Sequence, residues 1–296
     1  MTSISNVITQ TGPIKLDNYK VDKSILSFSI PSKTIQWNTF LGYKKESIDN
    51  FIHIRTEHGL DILCPERYQI LTSQGLKNVK DLQLGDLTYV PLGWHPNSQE
   101  VSGTYGYGVF FNPTKRPTQM HNILLDEFLG FCSEFEVDLN HTKFQQDRTI
   151  PHIQFNVNPF ELNKANLGKF LGGVFDTWGT FNTSLKCYEI VFEEREFLET
   201  IQLLLLSLGV VSKIVRRITD TTKLYSLIVS KYYMYKINTL LKGALIEKHK
   251  YIPERVMPQN YTTSSVIYCE EVSVRYTIPC LKSELFVLNG IVVCEP

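Results

Sequence analysis

Side chains able to do chemistry are few in this chain and widely spaced. Cys294 puts a thiol at the end of the run Phe286-Val287-Leu288-Asn289-Gly290-Ile291-Val292-Val293. Glu271, beside Val272-Ser273-Val274, carries a carboxylate of the kind used in acid–base work, or simply a solvated one at a strand end. Ser3 and Ser5 are hydroxyls with no evident histidine to activate them. Arg67, after Cys64-Pro65-Glu66, is permanently charged and cannot exchange a proton near neutral pH. The cysteines at 64, 132, 187, 269, 280 and 294 form no Cys-x-x-Cys pair, give no zinc signature, and suit reduced, buried thiols. Glycine and proline crowd the stretch from Pro91 to Pro117, but no Gly-Lys-Ser/Thr closes it. It reads as a connection and not as a phosphate-cradling loop.

The elements that must hold these groups change character along the chain. Up to about residue 92 the pattern is that of short strands, as in Phe51-Ile52-His53-Ile54-Arg55-Thr56, with Gly59, Gly75 and Gly85 at turn spacing. From Asn122 the period becomes helical. Helices are expected at 123–131, 167–176, 196–208 and 231–242, with Gly209 as a left-handed stop after the third and a strand at 224–229. From Ser265 strand-like patterning returns, ending in a terminal strand over 286–293. A β unit is thus interrupted by an α+β insertion and then resumed.

Bulk properties fit a globular protein. The 296 residues are 43% hydrophobic and 20% charged, enough for one large or two modest cores. The longest apolar stretch, Ile201 to Val211, is too short to span a bilayer, and Met1 to Asn6 has no signal-peptide pattern. The expected location is cytoplasmic, without membrane attachment. Thirty basic residues balance thirty acidic ones, so the net charge is zero, which counts against duplex DNA as a partner.

Three segments resemble the splicing blocks of inteins, whose self-splicing fold is the Hint domain. Members typically end in Phe-Val-x-Asn-Gly-Ile-Val-Val-His-Asn. Phe286 to Val293 keeps that framework, Cys294 stands at the penultimate His, and Glu295 stands at the Asn whose side-chain amide cyclises. Gly59-Leu60-Asp61-Ile62-Leu63-Cys64-Pro65-Glu66-Arg67-Tyr68, then Gly75 and Asp81 to Asp86, resembles the block built on Thr-Pro-x-His. There Cys64 replaces the Thr, and Arg67 replaces the His that polarises the upstream peptide bond. Thr9-Gln10-Thr11-Gly12 with Ile14 and Leu16 resembles the first block and puts the nucleophile position at or near Met1. Glu271 falls at the Asp of an Asp-Leu-Thr-Val block, and Glu284 where that region often has a His.

The insertion resembles a LAGLIDADG homing endonuclease. Phe170 to Phe181 looks like the motif helix, with Gly172 and Gly173 as its small residues. Trp178 falls at the acid that binds the divalent metal, and Asp176 at the earlier acid, which caps or packs. A degenerate partner motif at Phe128 to Glu136 puts Phe135 at the metal position, where a one-residue shift would bring Glu134 or Glu136. Phe197 to Ile214 and Leu224 to Ser230 resemble the following helix and strands.

The resemblance implies an α+β chain: an all-β Hint-like fold from both ends, split by an αββαββ-type domain. The expected boundaries are 1–95 and 256–296 for the Hint-like parts, 96–119 for a linker and 120–255 for the endonuclease-like domain. It also implies lost chemistry, at Met1, Cys64, Arg67, Glu271, Glu284, Cys294 and Glu295 for splicing and at Phe135 and Trp178 for the nuclease. The expected role is then structural: a catalytically inactive subunit with protein partners, of the class found in phage or viral tails and baseplates, and no cofactor. Three alternatives stay open. One is a nuclease using Mg²⁺ through Glu134, Glu136 and Asp176. Another is a DNA-binding protein using Lys213, Arg216 and Arg217, and the third is residual self-processing at Cys294. Exposed aromatic residues around 105–111 or 232–235 are candidates for a protein interface, and core packing explains most of them equally well.

Overall fold

The computed structural model describes residues 6–14, 24–32, 34–48, 50–95, 159–218, 223–229, 233–241, 261–268, 274–281 and 285–294. At 40, 42–48, 165–166, 169, 176–177, 218, 261–268 and 274–281 the backbone alone is described. Met1, Ser3, Ser5, Glu134, Phe135, Glu136, Glu271, Glu284 and Glu295 lie outside the described residues, as do the partner motif and the aromatics at 105–111.

The first unit opens with a tight hairpin of β1 (Val7–Thr9) and β2 (Gly12–Ile14). Then come β3 (Ser24–Ser29), the long β4 (Thr34–Ile48), β5 (Phe51–Thr56), β6 (Asp61–Pro65), β7 (Gln69–Thr72), β8 (Gly75–Asn78) and β9 (Leu87–Tyr89). The second unit runs α1 (Lys164–Trp178), β10 (Gly179–Asn182), β11 (Cys187–Phe192), α2 (Arg195–Ser207), β12 (Ser212–Ile218), β13 (Lys223–Val229) and α3 (Met234–Leu240). The chain then returns to the first unit with β14 (Tyr261–Tyr268), β15 (Val274–Leu281), β16 (Leu285–Leu288) and β17 (Ile291–Cys294).

Strand order shows that both ends build one unit. Among the described residues the main path is β15-β4-β3-β1-β16-β17-β7-β9-β14-β5-β6, with β2 on β1 and β8 on β7. The late strands are interleaved with the early ones and do not form a separate layer. Val7 lies opposite Leu288, Val293 opposite Ile70, and Val266 opposite Ile54. The expected α+β class and nested order are therefore those of the structure. One expectation is corrected: residues 286–293 are not a single strand. Asn289 (φ 42°) and Gly290 (φ 87°) turn the chain between β16 and β17, the left-handed pair that a two-residue hairpin turn needs.

The second unit has the expected αββαββ-type alternation, followed by α3, with a four-stranded antiparallel sheet in the order β10-β11-β13-β12. The third α-helix spans 234–240, shorter than the expected 231–242. Gly168 on α1 lies so close to α3 that an added Cβ would sit 2.7 Å from the Leu240 carbonyl oxygen. Helix α2 stops as its sequence predicts. Gly209 is left-handed (φ 76°), its N–H donates to Leu206 O, and Val210 N–H donates to Leu205 O. That is the 5→2 and 6→1 pattern of a Schellman stop.

Helix α2 also joins the two units. From Ile201 to Ser207 every residue is buried, including Gln202 and Ser207. A helix covering only its own sheet would leave one side exposed. Here that side meets the first unit. Gln202 Nε2 donates to His58 O at 2.7 Å, and Ile214 N–H of β12 donates to the same oxygen at 3.0 Å. Gly93 N–H and His95 N–H donate to Leu206 O and Ser207 O at the end of α2, both at 2.9 Å. Residues 93–95, expected to begin a loose connection, instead cap a buried helix end, giving Leu206 O a second donor and Ser207 O its partner.

Candidate functional site

The register of the β unit gathers the described splicing-type positions into one corner. Strand β6 ends at Cys64-Pro65, a turn follows in which Tyr68 N–H donates to Pro65 O at 3.0 Å, and β7 begins at Gln69. Cys294 of β17 lies directly opposite Gln69, two residues beyond Arg67. Sequence reasoning named these three residues, and only the pairing of β17 with β7 brings them together. Their side chains differ in access. Cys64 is fully buried, and burial pushes its thiol pKa up, away from the reactive thiolate. Cys294 is buried as well, whereas Arg67 is exposed. Arg67 exchanges no proton near neutral pH, and the Cys294 thiol is enclosed by its neighbours. In the neighbouring Leu84-Gly85-Asp86 turn, Asp86 has a structural task. Its carboxylate accepts from Gln83 N–H and Lys77 Nζ, both at 2.7 Å.

Next to this corner lies a cluster that the sequence did not reveal. Asp61, at the start of β6, takes His53 Nε2, Arg55 Nε and Nη2 (3.0 and 2.8 Å), and Arg195 Nη2 of α2 at 3.0 Å. Burial works to raise the Asp61 carboxyl, but the hydrogen bonds and charges of His53 and Arg55 outweigh it and hold its pKa below the usual value. Arg195 also reaches Gly59 O at 3.3 Å and pairs with Glu199 at 2.7 Å. Burial raises the Glu199 carboxyl against the lowering effect of Arg195. Asn289, in the hairpin turn, donates from Nδ2 to Asp61 O at 2.9 Å, and its Oδ1 accepts from Asn6 N–H at 3.0 Å. Its own N–H donates to Asn6 O at 2.9 Å. The His53-x-Arg55 alternation was the one signal in the sequence, since it puts both side chains on one face of β5.

In the second unit Trp178 ends α1 and is partly buried. Its ring meets Phe192 edge-on at 5.6 Å and Phe197 at 5.5 Å. An indole offers no oxygen to a hard cation such as Mg²⁺, and this one faces two rings. Among the described residues no three metal-ligating side chains come together. The side chain of Asp176 lies outside the description, as do Glu134 and Glu136. Among the described residues, Trp178 therefore gives a divalent metal no ligand at this position.

The basic strand also differs from expectation. Register alternation puts Lys213 and Arg217 on one face of the sheet and Arg216 on the other. Arg217 is engaged with Glu189, itself 5% exposed, which also accepts from Ser226 Oγ. The three cations therefore do not form one basic stripe.

A third buried polar centre closes the seam. His95 is 4% exposed, and its Nε2–H donates to Leu162 O at 2.7 Å. Burial, helped by the nearby Lys164, lowers its pKa against the effect of that bond and favours the neutral ring. Its Nδ1 lies 3.3 Å from Ser207 Oγ of α2. Beside it Trp94 stacks on Phe160, and Phe160 in turn fills the space over Gly12.

Comparison with known proteins gives two results. Residues 166–242 match the model of the LAGLIDADG-like domain, so the second unit carries such a domain. Among solved structures the chain is similar to inteins. A DnaB intein from Synechocystis sp. PCC 6803 is 14% identical, with a TM-score of 0.28 over 29% of this chain. A DnaX mini-intein from Spirulina platensis is 16% identical, with a TM-score of 0.28 over 31% of this chain. The chain spans 64% and 66% of those two inteins' own lengths. The G-1F mutant of the Ssp DnaB mini-intein variant M86 is 9% identical, with a TM-score of 0.35 over 99% of this chain and 95% of that one. No curated protein matches the chain. Among the described residues no helix is long and apolar enough to cross a membrane.

Proposed function

We propose that this chain is an intein-derived protein without splicing or nuclease chemistry, acting as a structural or interaction subunit in a larger protein assembly. The observation that carries this reading is Trp178. At the position the resemblance gives to the metal carboxylate, its ring is packed against Phe192 and Phe197. The sealed thiol of Cys64 and the guanidinium of Arg67 support the same reading for the splicing corner. The apolar framework around them is intact, with Phe286, Val287, Ile291 and Val293 buried. Keeping a core while reactive positions change is what selection on surfaces produces. The assembly we assign is a phage or viral particle, in its tail or baseplate, because inteins are frequent in phage and viral genes. Protein partners are sought by particle proteomics and by co-purification of the tagged full chain. Stable recovery in an assembly of defined stoichiometry is expected, and a monomer absent from every assembly overturns the reading.

A second reading is favoured by the LAGLIDADG-like match at 166–242. In it the chain is a homing endonuclease that cuts DNA with Mg²⁺ through Glu134, Glu136 and Asp176. A supercoiled-plasmid assay with Mg²⁺ separates the two. Cleavage abolished by Glu134→Ala or Asp176→Ala establishes the nuclease and sinks the structural reading. A gel shift at low salt, about 50 mM, tests for DNA binding without cleavage, since phosphate contacts are strongest there. Intact mass of the expressed chain tests for self-processing, and a single unprocessed species is expected.

A further inference from the structure

We infer that Asp61 is a positioning residue that couples the docking of the second unit to the closure of the β unit's two ends. An unbroken run of polar contacts leads from one to the other. Arg195 of α2 bonds the Asp61 carboxylate, Asp61 O accepts from Asn289, and Asn289 grips Asn6 through both its side chain and its backbone. Asn6 and Asn289 are 283 residues apart, and Arg195 and Asp61 are 134 apart. Asn289 sits in the left-handed turn that joins β16 to β17, and Leu288 of β16 lies opposite Val7 of β1. The docked helix thus fixes Asp61, Asp61 fixes the turn, and the turn fixes the start of β1.

The approach at this place is close. An added Cβ at Gly59 would meet Ile214 O at 2.7 Å, and one at Gly290 would meet Leu206 at 3.4 Å. The groups facing Asp61 are His53 and Arg55 from β5 and Arg195 and Glu199 from α2. Two cations from different elements converge on a single carboxylate that is 16% exposed. Undocking α2 removes one of those cations and opens the Gly59 loop. The hairpin turn then loses the fixed carbonyl that Asn289 holds. The coupling is reciprocal, because the same contacts are lost whichever end opens first. This inference stands whether the chain is a structural subunit or a nuclease.

Hydrogen exchange on the full chain tests it, read in peptides covering 6–14, 69–78, 195–207 and 285–294. Arg195→Ala is expected to speed exchange at 6–14 and 285–294 by about tenfold while leaving 69–78 unchanged, since local opening follows the broken contacts. Asn289→Ala, at the other end of the run, is expected to speed exchange in 195–207. Arg217→Ala, which breaks an ion pair elsewhere in the second unit, is expected to change none of the four segments. Should Arg195→Ala fail to fold, Arg195→Lys supplies the same comparison with a smaller change at the same two end segments. Faster exchange confined to 195–207, or spread evenly over 69–78 and the two ends, overturns the inference.

Discussion

Gln202 gives the most direct test of how the two units are joined. It lies in the fully buried stretch of α2 and is 1% exposed. Its Nε2 donates to His58 O at 2.7 Å and to Ser212 O at 3.0 Å, so one amide ties the first unit, the helix and β12 together. Gln202→Ala removes two hydrogen bonds worth about 1 kcal/mol each in net terms. It also leaves a cavity in a helix covered on all sides, which adds about 1–2 kcal/mol. The expected loss is about 3–4 kcal/mol in all, read as a fall in the urea midpoint at unchanged m-value. Gln202→Met separates the two contributions, because it nearly keeps the volume and removes both donors. It should cost about 2 kcal/mol, the hydrogen-bond share. A Met variant within about 0.5 kcal/mol of the parent refutes the reasoning, since ordinary surface changes alone reach that size. The amide would then be a passenger, and packing alone would hold the seam.

Three other outcomes follow from the same geometry. Gly59→Ala must place a Cβ 2.7 Å from Ile214 O on a backbone at φ 82°, so it should destabilise by about 2 kcal/mol or more, and a neutral result in chemical denaturation contradicts the close approach. The folded-state pKa of Asp61 lies below its unfolded value, so its contribution is present above the unfolded carboxylate range and is lost as pH falls through the folded pKa. Between about pH 5 and pH 2 the parent should therefore lose more stability than Asp61→Asn, and parallel pH profiles would remove Asp61 as an anchor. Thiol alkylation mapped by mass spectrometry should leave Cys64 and Cys294 unmodified in the native chain and label both in urea. Rapid native labelling at either contradicts its burial.

Much of the fold was legible because it is written locally. The helical period fixed α1 and α2 to within a few residues, and Gly209 marked the stop because only a residue without Cβ takes that backbone cheaply. The alternation in 51–56 fixed β5. The terminal run was read less well. Its Asn-Gly pair is a strong hairpin signal, but the surrounding apolar residues hid it inside what looked like one buried strand. The division of the basic strand's charges between two faces was missed for a related reason. Arg216 and Arg217 are neighbours in sequence and therefore point to opposite faces of a sheet.

By itself the sequence determined which segments become strands and helices, where they stop, and which positions carry no acid or base. Trp178 and Arg67 are non-exchanging whatever the fold around them. Tertiary structure alone decided that Cys294 would face Gln69, that β14 would lie between β9 and β5, and that Asp61 would meet Arg195 and Asn289. Those partners stand tens to hundreds of residues apart, so no local pattern encodes their meeting. It follows from how the apolar faces of two sheets and a doubly covered helix are buried at once, and the polar contacts are the ones that this burial leaves within reach.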